Sequence, residues 1–475
     1  MKGALAVSLL LGGAALAADP VLEKASKRLG VDGIQSLEYQ AAGRYWQFTQ
    51  APAPGAPWPP FDVDGYVATL DYARSAVHAK YHRVQVQEPG RARPHAEATM
   101  DQYALEGMSW NLTPAVTAIP TNLVERNAEL WASPQGFIKA ALRHDAKIGV
   151  DKEGHSVRFS IGPNRYAGSI SVGGDVRSVR TWMDSNVLGD VPIVFNYDDY
   201  RDFPTEGGTV RFPTRIQRQV GGFPWYELNV SAVRINSAPA FAVPAEVRAN
   251  PVPSVSTVEV TELAPGVWNF GGTSHNSVVV EQKGGLLVIE APLGEERSVA
   301  VLAEIQRRFG KRRILGVVNT HAHFDHAGGL RTFVAAGVPV ITHEANAAYY
   351  RTAWKQPRTL NPDRLAKSKR QPALRTFTDK LLLDDAARPV ELHAIRGSGH
   401  NDAFAMAWLP VEKILVEADA YTPTPAGAKP PAVVNPLWLN LDENIRRLAL
   451  PVERIQPLHG AACTLAEFRA ALMRP

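Results

Sequence analysis

The sequence predicts an α/β protein in which a mainly antiparallel β domain precedes a domain of two sheets enclosed by helices. Residues 20–245 alternate apolar and polar side chains in short runs separated by turn residues, as strands of an antiparallel sheet do. From residue 255 onward, short apolar runs alternate with helix-like periodicity. Several prolines separate the two patterns, and proline both blocks ladder pairing and stiffens a connection. We therefore place the domain boundary near residue 252.

The size and composition of the chain agree with two globular domains. At 475 residues the chain exceeds one ordinary domain. Apolar residues make up 45% and charged residues 21%, which leaves ample material for two cores. The formal charge of +4 is small, and the Lys and Arg residues form no dense stripe, so we expect no nucleic-acid partner.

The first residues have the features of a secretory signal peptide. Lys2 precedes an apolar run at residues 4–16, and Ala15-Leu16-Ala17 matches the pattern of a cleavage site. That run is shorter than the ~20 residues of a spanning helix, and we expect no transmembrane segment elsewhere. We therefore expect removal of residues 1–17 and a periplasmic or secreted mature protein. The only cysteine, Cys463, leaves no internal disulfide.

The first domain, residues 20–250, is predicted to be rich in strands. Alternation is clearest at residues 39–48, 81–86 and 157–172, whereas residues 122–142 have a helical pattern. The proline-rich residues 51–60 are predicted to be a surface loop. The last part of the domain resembles the sheet of lipoprotein-carrier half-barrels of the bacterial envelope, but a plain antiparallel sheet explains the pattern slightly better. The role of this domain does not follow from its sequence.

The second domain, residues 252–475, is predicted from its regular alternation of elements. The predicted helices are residues 295–309, 329–336 and 344–354, and the predicted strands are residues 314–318, 338–342, 390–395, 403–409 and 414–416. Capping-box patterns at Asn440 with Glu443 and at Thr464 with Glu467 predict the starts of two further helices.

The run His321-Ala322-His323-Phe324-Asp325-His326 carries the strongest functional signal. It places three imidazoles and a carboxylate within six residues, directly after the predicted strand at 314–318. Ligands favour the carboxyl ends of strands in open α/β sheets. Imidazole and carboxylate groups suit zinc and related divalent metals, and one turn supplies several of them at little cost in chain entropy. We therefore predict a metal site rather than a solvated polar turn.

Three later strand ends carry groups of the same kind. His400 follows the predicted strand at 390–395 through a Gly-Ser-Gly turn, and Asp419 follows the strand at 414–416. His459 follows a short apolar strand near the C-terminus. Each group alone could be a hydrogen-bonded strand end. Together, and each directly after a strand, they favour a common site.

The His-x-His-x-Asp-His run, followed by Ala-Gly-Gly, resembles the signature of the metallo-β-lactamase superfamily, and the similarity extends over the second domain. The resemblance implies an αββα sandwich that holds two divalent metal ions, with Zn²⁺ the expected metal. It assigns His321, His323 and His400 to one metal, and Asp325, His326 and His459 to the other. Asp419 would lie between the two metals. An aspartate there, where some β-lactamases use a cysteine, makes the ligand set similar to that of glyoxalase II.

Four further residues of the second domain have roles outside the predicted ligand set. Glu290 begins a Glu-Ala-Pro run where the superfamily usually has Asp-Thr-Gly. The residue at that position generally supports the metal ligands without binding the metal, so the predicted ligand set stays intact. The departure leaves the subfamily open. His275 lies in a Gly-Gly-Thr-Ser-His-Asn loop at the expected edge of the site, where it could touch substrate. We expect His343 and His393 to be packing or supporting groups.

The resemblance implies a binuclear hydrolase for small molecules. Two metals ~3.5–4 Å apart can lower the pKa of a bridging water towards ~7 and so produce a hydroxide nucleophile. Asp325 would orient this hydroxide and accept its proton, which makes it the predicted catalytic residue. The bond attacked would be an ester, thioester, lactone or amide. The particular substrate, the native metal and the oligomeric state do not follow from the sequence.

Other functions are compatible with the same residues. A β-lactamase is a narrower form of the hydrolase, and iron on the same ligands would give an oxidoreductase of the same fold. A non-catalytic alternative is that residues 20–245 bind an envelope lipid or a partner, with the second domain as a scaffold. Residues 351–380 hold nine Lys and Arg against two Asp. They could cover the site and attract anionic substrates, although a solvated basic face is slightly favoured.

Overall fold

The computed structural model describes residues 19–206, 208–237, 239–252, 254–368, 370–424 and 433–472. The predicted signal peptide at residues 1–17 lies outside the described residues. The described residues form an antiparallel sheet of 13 strands, followed by sheets of seven and six strands with helices on their outer faces. This confirms the predicted α/β class, with an antiparallel β region ahead of a mixed two-sheet region.

The first sheet is a meander of antiparallel strands. Its strands are β1 (Ser36–Trp46), β2 (Pro60–Asp71), β3 (Ala76–Gln85), β4 (Glu97–Leu105), β5 (Met108–Asn111), β6 (Thr117–Ala118), β7 (Lys147–Asp151), β8 (Gly154–Ile161), β9 (Asn164–Ser171), β10 (Val176–Ser185), β11 (Gly189–Thr205), β12 (Gly208–Val220) and β13 (Phe223–Ile235). The first and last strands pair with each other in the middle of the sheet, so β6 and β7 are its edges.

Three helices pack on the first sheet: α1 (Pro20–Leu29), α2 (Leu123–Ala132) and α3 (Pro134–Ala141). The helix predicted at residues 122–142 is therefore two helices. Proline disfavours the helical conformation for the residue before it, and Ser133 is extended, with ψ at 150°. The Ser133 hydroxyl then accepts a hydrogen bond from the Gly136 amide at 3.2 Å and caps α3.

A short helix, α4 (Ala245–Ala249), interrupts the proline-rich connection between the two sheet regions. Val243 and Val247 of this connection are buried against Trp110 of the first sheet. The connection is thus packed on the sheet rather than extended away from it. The boundary near residue 252 remains a prediction.

Two sheets form the second half. The seven-stranded sheet contains β14 (Glu259–Ala264), β15 (Val267–Gly271), β16 (Ser277–Gln282), β17 (Gly285–Ile289), β18 (Ile314–Val318), β19 (Val340–His343) and β20 (Leu374–Phe377). The six-stranded sheet contains β21 (Lys380–Leu383), β22 (Val390–Ala394), β23 (Ala405–Leu409), β24 (Ile414–Glu417), β25 (Arg454–Pro457) and β26 (Cys463–Thr464). From β17 to β20 neighbouring strands are parallel, as are β24 and β25.

Helices cover the outer faces of these two sheets. They are α5 (Glu295–Phe309), α6 (Phe324–Ala327), α7 (Leu330–Ala335), α8 (Glu344–Ala353), α9 (Arg364–Ser368), α10 (Pro436–Arg447) and α11 (Leu465–Leu472). Val278 and Val280 face the core between the sheets, whereas Val279 packs with Val301 of α5. Successive side chains of a strand point to opposite faces, so this strand is buried on both sides. None of the helices in the described ranges has the length and apolar character needed to cross a membrane.

The two predicted capping boxes have different outcomes. Thr464 and Glu467 form one at α11, with the Glu467 carboxylate accepting from the Thr464 amide at 2.7 Å. The start predicted at Asn440 is wrong, because α10 begins at Pro436. Asn435 accepts from the Leu437 amide at 2.9 Å, and proline at the first helical position needs no hydrogen-bond partner for its nitrogen.

The Lys- and Arg-rich segment at residues 351–380 is partly packed against the first sheet. Arg358 is buried, and its guanidinium donates to the Ser185 carbonyl at the end of β10. Asp190 of β11 accepts from the Thr359 amide at 2.8 Å. These contacts hold part of the segment against the first sheet rather than over the metal site. Lys369 of this segment lies outside the described residues.

Candidate metal centre

A buried hydrogen-bond network shapes the turn between β18 and α6. Asn319 donates from Nδ2 to the His321 carbonyl at 2.7 Å. Its Oδ1 accepts from the hydroxyls of Thr342 at 3.1 Å and Tyr350 at 2.8 Å. The turn is therefore held from the neighbouring strand and from α8, so its ring side chains are fixed in direction.

The structure brings the seven predicted metal ligands together in two adjoining groups. The first group is His321, His323, His400 and Asp419, and the second is Asp325, His326 and His459 together with His275. Within each group the candidate ligand atoms lie within 4.8 Å of one another.

Asp419 connects the two groups through its two carboxylate oxygens. Its Oδ2 lies 3.0 Å from Nε2 of His400, in the first group. Its Oδ1 lies 2.9 Å from Nε2 of His326 and 3.1 Å from Nε2 of His459, in the second group. A carboxylate with one oxygen towards each cluster is arranged as a bridging ligand would be.

The donor set fits divalent cations. Nε2 of His321 lies 3.1 Å from Nε2 of His400, and the same distance separates the Nε2 atoms of His326 and His459. Nδ1 of His323 is buried, with no hydrogen-bond partner among the described residues. These converging Nε2 atoms, together with the buried Nδ1 of His323, form a site rich in nitrogen lone pairs. Such a site suits zinc and related divalent metals.

Burial keeps two of the imidazoles in the form that binds metals. Desolvation lowers the pKa of His323 to about 3 and holds the pKa of His321 well below its ordinary value. Metal ions bind the neutral imidazole, so these rings are ready to act as ligands at neutral pH. Burial would raise the pKa of Asp419, but His326 and His400 hold it well below its usual range.

Glu290 supports ligands on both sides of the site. It is fully buried, and its carboxylate accepts from the Thr320 hydroxyl, which lies 3.0 Å from Nδ1 of His321. Its Oε2 also lies 3.3 Å from Nδ1 of His326. The carboxyl group of Glu290 thus contacts the His326 ring directly and the His321 ring through the Thr320 hydroxyl, which agrees with the supporting role that the resemblance implied.

Replacing Glu290 with alanine is expected to weaken metal binding about 10–100-fold, because groups that orient metal-ligating histidines typically contribute that much. Competition with a chromophoric chelator on the full-length protein would measure the affinity. Exposed Glu296, six residues along the chain, gives a matched Glu296→Ala control that should leave the affinity unchanged. Equal affinities in the two variants would contradict the role of Glu290.

The remaining histidines of the second half fall into two classes. His275 belongs to the site: its Nε2 lies 3.4 Å from Oδ2 of Asp325, and its ring centroid is 4.0 Å from that of His459. Sequence reasoning placed it only at the edge. The next residue, Asn276, connects this loop to the His459 turn, because its side-chain Nδ2 donates to the Gly460 carbonyl at 2.8 Å. His343 caps α8, and His393 pairs with Glu391 at 2.9 Å, so both are structural.

Solvent can reach the site from one side. The side chains of His321 and His326 are fully buried, whereas Asp325 is 33% exposed and His459 is 22% exposed. A substrate would therefore approach the second group of ligands first.

The connection between β1 and β2 of the first sheet contacts residues of both ligand groups. The Ala51 carbonyl lies 2.9 Å from Nε2 of His323, and Gln50 donates from Nε2 to Oδ1 of Asp325 at 3.4 Å. Residues 51–59 form a loop, as predicted, but Ala51 at its start contacts the metal turn instead of lying only on the surface. Proline content indicates a loop but cannot show which distant turn the loop contacts.

The part of the chain that carries both ligand groups is similar to a known family. Residues 270–459 match the model of that family, described as the Metallo-beta-lactamase superfamily. The resemblance seen in the sequence is thereby confirmed.

A curated relative is a Metallo-beta-lactamase type 2 from Elizabethkingia meningoseptica, 30% identical over 149 residues. The match covers 31% of this chain and 53% of the relative, so the chain spans about half the length of that relative. Among solved structures, a metallo-beta-lactamase from Pontibacter korlensis is 21% identical, with a TM-score of 0.36, over 46% of this chain and 97% of that one. Rubredoxin oxygen:oxidoreductase from Desulfovibrio gigas is 16% identical, with a TM-score of 0.37, over 45% of this chain and 60% of that one.

Proposed function

We propose that the protein is an exported binuclear metal-dependent hydrolase that acts on an ester, thioester, lactone or amide bond of a small molecule. The observation that carries this proposal is the position of Asp419, with one carboxylate oxygen towards each of two histidine-rich groups. When bound, two divalent ions would supply Lewis-acid polarisation of a substrate carbonyl and a lower pKa for the attacking water.

His321, His323 and His400 would hold one ion, and His326 and His459 with Asp325 would hold the other. The rings are preorganised for this by the contacts described above, which fix their orientation before any ligand arrives. The enclosed side of the site excludes water from His321 and His326, so polar interactions there are stronger than in solvent. Binding at the exposed side then brings the reacting bond next to Asp325.

Asp325 is the residue that we assign to proton transfer. Burial opposes ionisation of its carboxyl group, but the hydrogen bond with His275 and the charge of His326 hold its pKa below the ordinary value. The carboxylate is therefore ionised and can accept a hydrogen bond from the attacking water, which orients that water; we assign the acceptance of its proton to the same group. His275 lies 3.4 Å from the same oxygen and would orient it.

A β-lactamase is the narrower form of this proposal. It is supported by the identity of 30% to a Metallo-beta-lactamase type 2, and a β-lactam is an amide of the proposed class. The ligand set itself does not select this substrate. Cys463 of β26 pairs with Ile455 of β25 and is absent from the ligand groups formed by the described residues, so the Asp419 carboxylate rather than a thiol would serve as the ligand there.

Export is supported by residues 1–17, whose charge, apolar run and cleavage pattern are those of a signal peptide. We place the mature protein in the periplasm or outside the cell. N-terminal sequencing of the secreted or periplasmic fraction would find a chain that begins at Ala18. An intact Met1 in the cytoplasmic fraction would contradict this localisation.

Metal quantification on the mature protein, combined with a substrate panel, tests the proposal. We expect two divalent ions per chain, and hydrolysis of at least one ester, thioester, lactone or amide substrate that stops after chelation and returns when Zn²⁺ is added. Hydrolysis of nitrocefin would select the β-lactamase form. Bound iron with oxygen consumption and no hydrolysis would favour an oxidoreductase, and a metal-free, inert protein would contradict both functions.

A further inference from the structure

The loop between β1 and β2, residues 47–59, reaches the metal centre from the first sheet; we call it the bridging loop. Its Ala51 carbonyl oxygen lies 2.9 Å from Nε2 of His323 and accepts from Nδ2 of Asn401 at 3.0 Å. Its next carbonyl, that of Pro52, accepts from the Asp402 amide at 2.8 Å. The bridging loop therefore joins the turns that carry His323 and His400.

The Ala51 carbonyl determines which nitrogen of His323 is free. A carbonyl oxygen can only accept, so Nε2 of His323 must carry the hydrogen. In a neutral imidazole the other nitrogen, Nδ1, then has a free lone pair. This Nδ1 is buried without a hydrogen-bond partner among the described residues, and His323 belongs to the first ligand group. A backbone group of the first sheet thus sets the tautomer that a metal ion requires here.

An aromatic cluster holds the bridging loop in place. Phe48 stacks on Trp225 with ring centroids 5.0 Å apart and packs edge-on against Trp58 at 4.6 Å. It also contacts Phe324 at 5.5 Å, the residue between His323 and Asp325 in the metal turn. The loop and the metal turn are therefore held to each other through the contact between the half-buried Phe48 and Phe324 rings as well as through the carbonyl contact.

A second connection of the first sheet supports the His400 turn. A Cβ atom placed on Gly399 would lie 1.8 Å from the Ala92 carbonyl oxygen, so this glycine permits close approach of the two backbones. Arg91 binds the Asp402 carboxylate at 2.8 Å, and Arg93 donates to the His400 carbonyl at 3.3 Å. Both connections thus contact residues at the first ligand group.

We propose that the metal centre is completed by the first sheet: the bridging loop positions His323 and His400 so that the first ligand group binds its metal tightly. Ala51 acts through its backbone carbonyl, Phe48 by anchoring the loop, and Gln50 by orienting Asp325. These are positioning residues, and the inference rests on the proposed metal-dependent function. It gives the β-rich region a defined role at the metal site of the C-terminal half.

The test compares Co²⁺ binding by the full-length wild type with binding by two variants. In the first variant residues 50–56 are replaced by two glycines, and the second is Phe48→Ala. The control is Phe241→Ala, which removes a comparable half-buried ring from a separate aromatic cluster around Tyr103. Chelator competition gives the affinity, and the visible spectrum of bound Co²⁺ reports the ligand geometry.

We expect the loop replacement to weaken binding of one of the two Co²⁺ ions about 10–100-fold and to change the spectrum. Phe48→Ala should act in the same direction with a smaller effect, and the control should match the wild type. Folded loop variants with wild-type affinity and spectrum would overturn the inference while leaving the proposed function intact. A wild type that binds no metal would instead remove the proposed function, and the inference with it.

A second measurement applies even if the loop replacement does not fold. Long-range ¹H–¹⁵N spectra of the metal-free wild type distinguish the two tautomers of each histidine, and a His323→Gln variant assigns the signal. We expect His323 to carry its hydrogen on Nε2. A hydrogen on Nδ1 would show that the Ala51 carbonyl does not select the tautomer and would overturn the inference.

Discussion

Replacing Asp419 with asparagine is expected to remove most of the bound metal and to lower activity roughly a thousandfold. The substitution takes away the charge and one of the two oxygens that face the opposite ligand groups. A metal ion contributes several kcal/mol of transition-state stabilisation, and about 4 kcal/mol corresponds to a factor of a thousand in rate. Metal content per chain and kcat/KM on the active substrate measure the two effects.

Asp379→Asn is the matched control for Asp419→Asn. Asp379 is 71% exposed and pairs with Arg396 on the surface, so its loss should change neither metal content nor activity. A fully loaded and active Asp419→Asn protein would mean that the two ligand groups do not depend on a shared carboxylate. The proposed binuclear arrangement would then be wrong.

The elements around the metal turn could be predicted well because local patterns dominate there. The strand at 314–318 and the helix at 295–309 have the predicted bounds. Both are short, strongly apolar or strongly periodic segments, and such patterns determine the element type without help from distant residues. The convergence of the predicted ligands also followed from a local pattern, since each of them lies shortly after a strand and the structure brings them together.

Errors arose where two local signals competed. At the start of α10, Asn440 with Glu443 has the spacing of a capping box, but Asn435 followed by Pro436 begins the helix earlier. In the folded chain the Asn440 side chain donates to the Arg396 carbonyl at 2.9 Å instead of capping a helix. A capping pattern identifies residues able to cap, whereas tertiary contacts decide which of them does so.

The contribution of the first sheet to the metal centre could not be predicted from the sequence. The contact between Ala51 and His323 joins residues 272 positions apart and uses a backbone carbonyl, which leaves no mark on residue type. The same holds for the Ala92 carbonyl beside Gly399. The chemistry of side chains can be inferred from the sequence, but every residue has the same backbone carbonyl. Only the fold therefore determines which carbonyl contacts the site.

Arg218 links α2 to the first sheet beneath the bridging loop, and Arg218→Met is expected to destabilise the protein by about 3–5 kcal/mol. The arginine is 1% exposed, and its Nη1 donates to Glu125 at 2.8 Å and to Glu129 at 2.7 Å. Its guanidinium also lies 4.1 Å from the ring centroid of Trp225, which stacks on Phe48. Methionine would leave two carboxylates close together in the interior with no cation between them.

The loss of folding stability in Arg218→Met should depend on pH and on the two carboxyl groups of Glu125 and Glu129. Burial already raises the pKa of Glu129, and Arg218 opposes this rise. Without the arginine, the pKa of Glu129 in the folded protein should lie further above its unfolded value of about 4.3. The loss of folding stability should therefore be greatest at neutral pH and should become smaller as the pH falls towards that value. Denaturant unfolding followed by tryptophan fluorescence, at pH 7 and near pH 5, measures both effects.

Two comparisons distinguish the stabilising effect of this buried network from the effect of removing any arginine. Arg44→Met breaks an exposed pair with Asp62 and should cost no more than about 1 kcal/mol. Adding Glu125→Gln and Glu129→Gln to Arg218→Met should recover much of the lost stability, because it removes the unpaired buried charges. If the triple variant were as unstable as Arg218→Met alone, lost packing against Trp225 rather than charge would explain the effect. The bridging loop would then be anchored by ring contacts, with no electrostatic contribution from α2.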